Sequence, residues 1–262
     1  MSRALVIPAG ADHTVFERLQ KIAAPDFAVK PYVFFRRDIP VDCALHKGII
    51  NSNLTNAINC LQGFLMNELA CIILAAGKGT RMKSDLPKVM HKLAGRPMIN
   101  WLIERVEKVG AGKIIVVAGP GMPELEEAVK PHLVAIQQEQ LGTADAVKAA
   151  MPLLEGFKGK VLVIMGDEPL VPQEALQQLA EAHAPLAVMG IIPDNPFGLG
   201  RLILDDDGHL KKIVEERDAS EEEREGYLCN GGNYSMDMSL LNTCLPQIGN
   251  DNAQGEYYLT DI

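Results

Sequence analysis

The chain is predicted to adopt an α/β fold, Rossmann-like, with a mostly parallel sheet covered by helices on both faces. Three observations carry that prediction. From Cys71 onward, short apolar runs alternate with stretches of helical periodicity. The runs at 71–74, 113–117, 133–136 and 161–165 are short and almost continuously apolar, the pattern of strands buried on both faces. The first of them opens directly into Gly77-Lys78-Gly79-Thr80-Arg81, a strand-to-loop junction.

Taken in order, the strand at 71–74 and its glycine loop lead to Pro97, placed where a first helical turn begins. Ile99, Leu102, Ile103, Val106 and Val109 then recur at helical spacing. After the strand at 113–117, Pro123 opens a second helix with Glu124, Glu126 and Glu127 at its positive dipole end. After the strand at 133–136, Thr143 is expected to N-cap a helix over 144–154. The strand at 161–165 ends at Gly166-Asp167, a helix follows over 172–182, and a strand over 186–192. Residues 201–214 read as a hairpin turning at Asp206-Asp207-Gly208. The first 66 residues lack this rhythm. Pro8, Pro25, Pro31 and Pro40 punctuate them, and Leu54, Ala57, Ile58, Leu61 and Leu65 fall at the spacing of one amphipathic helix. The expected organisation is an N-terminal extension over 1–66 and one domain over 67–262.

Composition narrows the function. At 47% hydrophobic and 23% charged residues, the 262-residue chain has an ordinary globular balance. No apolar run approaches the roughly 20 residues of a membrane span, and the start lacks a signal core, so no membrane association is expected. The five cysteines are odd in number and widely spaced, without a CxxC pair. That usage fits a reduced, cytoplasmic compartment and no zinc site. A net charge of −9 argues against a nucleic-acid surface. It leaves room for a nucleotide, because Arg81, Lys83, Lys88, His91 and Lys92 concentrate positive charge locally.

The glycine loop is the strongest chemical signal. Glycines without Cβ atoms let backbone N–H groups approach a polyphosphate closely, with Arg81 and Lys88 as flanking cations. The spacing is not that of a Walker A loop, and Met82 stands where a dinucleotide fingerprint needs a small residue. In open parallel sheets ligands bind outside the carboxyl ends of the strands, so the Gly77 loop and Asp167 are expected to share one crevice. Asp167 offers a carboxylate to a hard cation, and Asn252 an amide oxygen. Glu168 is expected to be a solvated neighbour. The amides of 137–140 beside Leu141-Gly142-Thr143 could read a nucleobase edge or simply cap a helix. Glu215 and Asn230 could bond sugar hydroxyls or satisfy turn backbone.

These residues resemble the uridylyltransferase (N-terminal) domain of bacterial bifunctional N-acetylglucosamine-1-phosphate uridylyltransferase / glucosamine-1-phosphate acetyltransferase, of the sugar-nucleotidyltransferase superfamily. The resemblance runs from about Ala70 to Ile262. It rests on 74–82 with Ser84-Asp85-Leu86-Pro87-Lys88, on Gln140-Leu141-Gly142-Thr143-Ala144, on Gly166-Asp167 with Pro169-Leu170, and on Gly200-Arg201. The segment from Asn252 to Asp261 is the most specific. It implies the nucleotide-diphospho-sugar transferase fold. It also implies magnesium-dependent transfer of UMP from UTP to N-acetylglucosamine 1-phosphate, giving UDP-N-acetylglucosamine for cell-envelope precursors. Leu74, Ala75, Ala76 and Gly77 would contact the nucleotide, and Gln137, Gly142 and Thr143 would read uracil and nearby groups. Arg81 and Lys88 would hold phosphates and, with Asp167, carry catalysis. Asp167 and Asn252 would hold Mg2+, and Gly200, Glu215 and Asn230 the amino sugar.

Two departures bear on acceptor specificity: Met165-Gly166-Asp167 replaces the usual Tyr-Gly-Asp, and Asn230-Gly231-Gly232-Asn233 differs from the more usual Asn-Thr-Gly. The acetyltransferase β-helix has no counterpart in the sequence, so no acetyl transfer is expected, and a monomer is. Rival readings are a nucleotidyltransferase of the same fold with another sugar phosphate, a cytidylyl transfer or a molybdopterin acceptor, and a truncated binding module without catalysis.

Overall fold

A computed structural model describes residues 5–6, 31–35, 69–77, 79, 82–206 and 208–262. The N-terminal part contributes two strands, β1 (Leu5–Val6) and β2 (Pro31–Phe35). The helix spacing read over 54–65 lies outside the described residues. The alternation begins with β3 (Leu69–Leu74), and a small hairpin of β4 (Lys92–Leu93) and β5 (Arg96–Pro97) leads into α1 (Met98–Lys108). It continues through β6 (Lys113–Ala118), α2 (Pro123–Ala128), β7 (Leu133–Ile136), α3 (Thr143–Ala150) and β8 (Lys160–Met165). Next come α4 (Gln173–Ala180), β9 (Leu186–Ile191) and the hairpin of β10 (Arg201–Leu204) and β11 (Leu210–Val214). A short α5 (Glu221–Arg224), the long β12 (Cys229–Asp237) and α6 (Met238–Cys244) follow.

The sheet order is β1-β2-β9-β12-β8-β3-β6-β7. Strands β8, β3, β6 and β7 pair in parallel. Strand β12 runs antiparallel to both β8 and β9, so β9 points the same way as the parallel group. The centre is therefore mixed but mostly parallel and Rossmann-like, as the alternation predicts. Strand β12 was not anticipated. Its Gly231-Gly232 pair interrupts the apolar pattern that marks the other strands. Strand β2 lies antiparallel along the outer edge of β9.

Both faces are covered, and β3 shows why its sequence is continuously apolar. Ala70 and Ile72 enter one core cluster with Ala144, Val147 and Ala150 of α3 and Leu241 of α6. Cys71 and Ile73 enter the other, with Leu102 and Val106 of α1, Leu125 of α2 and Leu176 of α4. Alternate side chains of one strand thus feed opposite layers, so every position must be apolar.

Two capping details differ from expectation. Pro97 is the N-cap of α1 rather than its first helical residue. Thr143 is the first residue of α3, and Gly142 occupies the N-cap. The Thr143 hydroxyl instead accepts the backbone N–H of Leu259 at 2.9 Å, because the C-terminal segment packs against this end of α3. Pro152 falls in a 3-10 turn over Met151–Leu154, which ends the helical stretch.

From β3 the chain moves outward to β6 and β7, then returns to place β8 on the other side of β3. That reversal leaves a crevice at the carboxyl ends of β3 and β8, the position at which open α/β sheets bind ligands.

Candidate active site

A cavity of about 430 Å³ occupies the crevice. Its floor is the end of β3 with the segment 74–77, and its walls carry Lys88, Asp167 and Met165 on one side and Gln137, Gln140, Gly142 and Thr143 on the other. The expectation that the Gly77 loop and Asp167 share one crevice is met geometrically.

The loop conformation is dictated by close approach. Gly79 has φ +59°, and a Cβ there would stand 2.8 Å from Lys88 Cβ. Only glycine lets the loop fold back onto the backbone of Lys88. Lys88 begins a 3-10 turn after Pro87, and its ammonium donates to Asp167 Oδ2, so cation and carboxylate meet inside the cavity. Gly166, just before Asp167, donates its N–H to Leu74 O at 2.9 Å, and a Cβ there would be 2.7 Å from that oxygen.

On the opposite wall, Gln137 is 5% exposed and its amide donates to Gly142 O at 2.9 Å and to Asp145 Oδ2 at 2.8 Å. Gly142 has φ +122°, and its Cβ would lie 2.5 Å from Tyr257 O. Tyr257 donates its N–H to Leu141 O and accepts that of Ala144, so the C-terminal segment buttresses this loop. Gln140, Glu256, Val89 and Ala146 also line the cavity. Gln140 takes a positive φ of 54° and donates its amide to Ala76 O, tying the two walls together. Gln140 is thus one of the amides of 137–140 expected beside the Gly142-Thr143 helix start, whereas Glu256 lies in the 252–261 segment with no role expected of it.

Arg81 lies outside the described residues. Gly200, Glu215 and Asn230 form a separate cluster that does not line this cavity. Asn230 donates its N–H to Gly200 O at 2.8 Å, and Gly200 packs so that a Cβ would meet Glu215 Oε1 at 3.3 Å. Burial pushes the Glu215 carboxyl above its usual range, with Asp218 and Asp261 adding to the shift and the hydroxyl of Thr260 opposing it. The Asn230 amide donates to the Tyr234 hydroxyl at 2.7 Å, and its oxygen accepts the N–H of Gly232. Behind them, Arg201 is 2% exposed and donates to carbonyls of Gly226, Leu199 and Arg224, with Glu216 Oε2 at 2.8 Å from its guanidinium.

The two residues expected to share a metal are not brought together on the cavity wall. Asp167 lines it, whereas Asn252 organises a turn, its Oδ1 accepting N–H groups of Gln254 and Glu256 at 3.2 Å. Among the described residues no three His, Cys, Asp or Glu side chains group into a metal cluster. The donor set still suits a hard cation that shares its shell with phosphates, since magnesium takes only one or two protein carboxylates in such sites. Glu168 departs from expectation. It is half-buried rather than solvated, accepts the Asn233 amide at 2.6 Å, and burial pushes it up to about 7.

Residues 71–217 match the MobA-like NTP transferase domain. The chain is 48% identical over 204 residues to the bifunctional protein GlmU of Geobacter metallireducens, covering 75% of this chain and 43% of that protein. It is 45% identical over 201 residues to the GlmU of Caldanaerobacter subterraneus subsp. tengcongensis, covering 75% and 44%. The chain thus spans less than half the length of these relatives. A UDP-glucose pyrophosphorylase structure in complex with UDP-glucose shares the fold at a TM-score of 0.59 and 19% identity, covering 73% of this chain and 84% of that one. The inositol-1-phosphate CTP transferase of T. maritima does so at 0.54 and 20%, covering 66% and 72%.

Proposed function

The chain is a nucleotidyltransferase that belongs to the MobA-like NTP transferase domain family, and from that premise we propose that it transfers UMP from UTP to N-acetylglucosamine 1-phosphate. The products are UDP-N-acetylglucosamine, a precursor for the cell envelope, and pyrophosphate. One observation carries the reading: the glycine loop, Lys88, Asp167 and the Gln137–Gly142 wall face a single cavity at the carboxyl ends of β3 and β8. Catalysis belongs to residues 67–262 in this reading, with 1–66 as an extension.

The sugar phosphate is already nucleophilic near neutral pH. One of its phosphate oxygens attacks the α-phosphorus of UTP in line, the α–β phosphoanhydride bond breaks, and pyrophosphate leaves with the electron pair. Little covalent chemistry is asked of the protein, so positioning and charge stabilisation dominate. The segment 74–77 holds the nucleotide on the cavity floor, and Gln137, Gly142 and Thr143 face the base. Arg81 and Lys88 bind phosphate oxygens and stabilise charge on the leaving pyrophosphate. Gly200, Glu215 and Asn230 orient the amino sugar. Mg2+ bound at Asp167 would neutralise triphosphate charge. For Asn252 to join that shell, its oxygen must release one of the two N–H groups it now accepts.

The test is pyrophosphate release by the purified chain with UTP, magnesium and N-acetylglucosamine 1-phosphate, against glucose 1-phosphate and CTP. Release that needs the amino sugar and the metal, and disappears in Asp167→Asn, is expected. No release with any pair from folded, UTP-binding protein would overturn the catalytic reading in favour of a binding module. Among the described residues no helix is long and apolar enough to cross a membrane. The proposed partners are small molecules and the proposed setting is cytoplasmic. We expect a monomer on size-exclusion chromatography.

A further inference from the structure

Strand β12 breaks its pairing beside the turn that carries Asp167. Between its paired residues Asn230 and Tyr234 lie three residues, whereas only Met189 lies between their partners Gly190 and Val188 on β9. Two glycines make that excess possible. A Cβ on Gly231 would stand 2.7 Å from Met189 O, and Gly232 takes φ +76° with its Cβ position 2.8 Å from Met165 Cγ.

The bulge turns Asn233 into the protein, where it is fully buried. The pairing of β12 with β8 stops at Tyr234 and Val163, so the Asn233 side chain takes over where backbone pairing ends. Its Oδ1 accepts the N–H of Met165 at 3.1 Å, and its Nδ2 donates to Glu168 Oε2 at 2.6 Å. The same amide nitrogen also reaches Gly231 O at 3.3 Å and Met189 Sδ at 3.6 Å. One buried amide therefore grips both ends of the segment 165–168, with Asp167 between them. An apolar side chain at 233 would leave the Met165 N–H unpaired and Glu168 buried without its donor, both costly.

We propose that Asn233 and Glu168 act as a positioning pair that fixes Asp167 for nucleotidyl transfer. The inference rests on the reaction proposed above. The pair touches neither nucleotide nor acceptor in this role. It removes the freedom of the turn, in the way outer hydrogen bonds orient the groups that do touch ligands.

Exchanging donor and acceptor tests it. In Asn233→Asp the new carboxylate still accepts the Met165 N–H but faces the Glu168 carboxylate. Adding Glu168→Gln restores a donor between the two side chains. Asn233→Asp should lower kcat about 10–100-fold with the KM for UTP nearly unchanged, and the double variant should return to within about threefold of Glu168→Gln alone. Amide hydrogen exchange over 165–168 should quicken in Asn233→Asp and in Asn233→Leu, and slow again in the double variant, with thermal melts confirming folded protein. Additive kinetic losses with unchanged exchange at Met165 would overturn the pair. If the unaltered chain turns over no substrate pair, the reaction assignment fails by itself. Exchange then decides the clamp: quickening with rescue upholds it, and no change removes it.

Discussion

Lys88 and Asp167 neutralise each other inside the cavity, whose lining carries one further charged residue among those described, Glu256. A bound metal–triphosphate would separate them, giving each a stronger partner. Lys88→Ala should therefore lower the rate of pyrophosphate release about 10²–10³-fold under saturating substrates, and an unchanged rate would remove Lys88 from the chemistry. Glu215 makes a different residue-scale prediction. Its carboxyl is raised by burial, so the folded state holds the proton more tightly than the unfolded chain. That contribution is fully present below the ordinary carboxylate range and is lost as pH rises through the raised value. Melting temperature should fall across that window, and Glu215→Gln should flatten the fall. At this scale the sequence was informative where backbone strain demands a residue type, as at Gly79 and Gly142. It was silent where a contact joins distant segments. Nothing local to Glu168 announces that Asn233 will bury beside it, so the charge read as solvated.

Elements divide the same way. Strands β3, β6 and β8 were legible because burial on both faces demands unbroken apolar runs; β7 has the same kind of run although it lies at the sheet edge with Leu133 exposed. Strand β12 was not legible, because its bulge inserts Gly231, Gly232 and a buried polar residue into the pattern. The short α5 carries a local signal of its own, a capping box of Ser220 and Glu223. The loops after β3 and β7 are held by neighbours rather than by their own propensity. Gly142→Ala should consequently displace Tyr257, destabilise the chain by about 1–3 kcal/mol from backbone strain alone, and raise the KM for UTP. Nucleotide titration of the folded variant checks the second effect. Arg201 binds three carbonyls on two segments around the second cluster. Arg201→Met should cost about 3–5 kcal/mol, because it leaves Glu216 and those carbonyls without their buried partner. A denaturant midpoint within error of the parent would refute that anchoring role.

Across the whole molecule, the sheet is longer than the domain expected from the sequence. Strand β2 covers the outer edge of β9 over five residue pairs, from Pro31–Ile191 to Phe35–Ala187. A chain beginning at Met66 would expose that edge, and unprotected edges invite pairing between copies. Light scattering should show faster self-association of that shortened chain than of the full one, while UTP binding persists.

The hydrogen bond from Leu259 to Thr143 spans 116 residues. During synthesis, the loop expected to face uracil therefore stays without its brace until the segment around Tyr257 has left the ribosome. A nascent chain holding every residue of the glycine loop, Lys88 and Asp167 would still present an unfinished nucleotide wall, so competence arrives late and at once rather than growing with length.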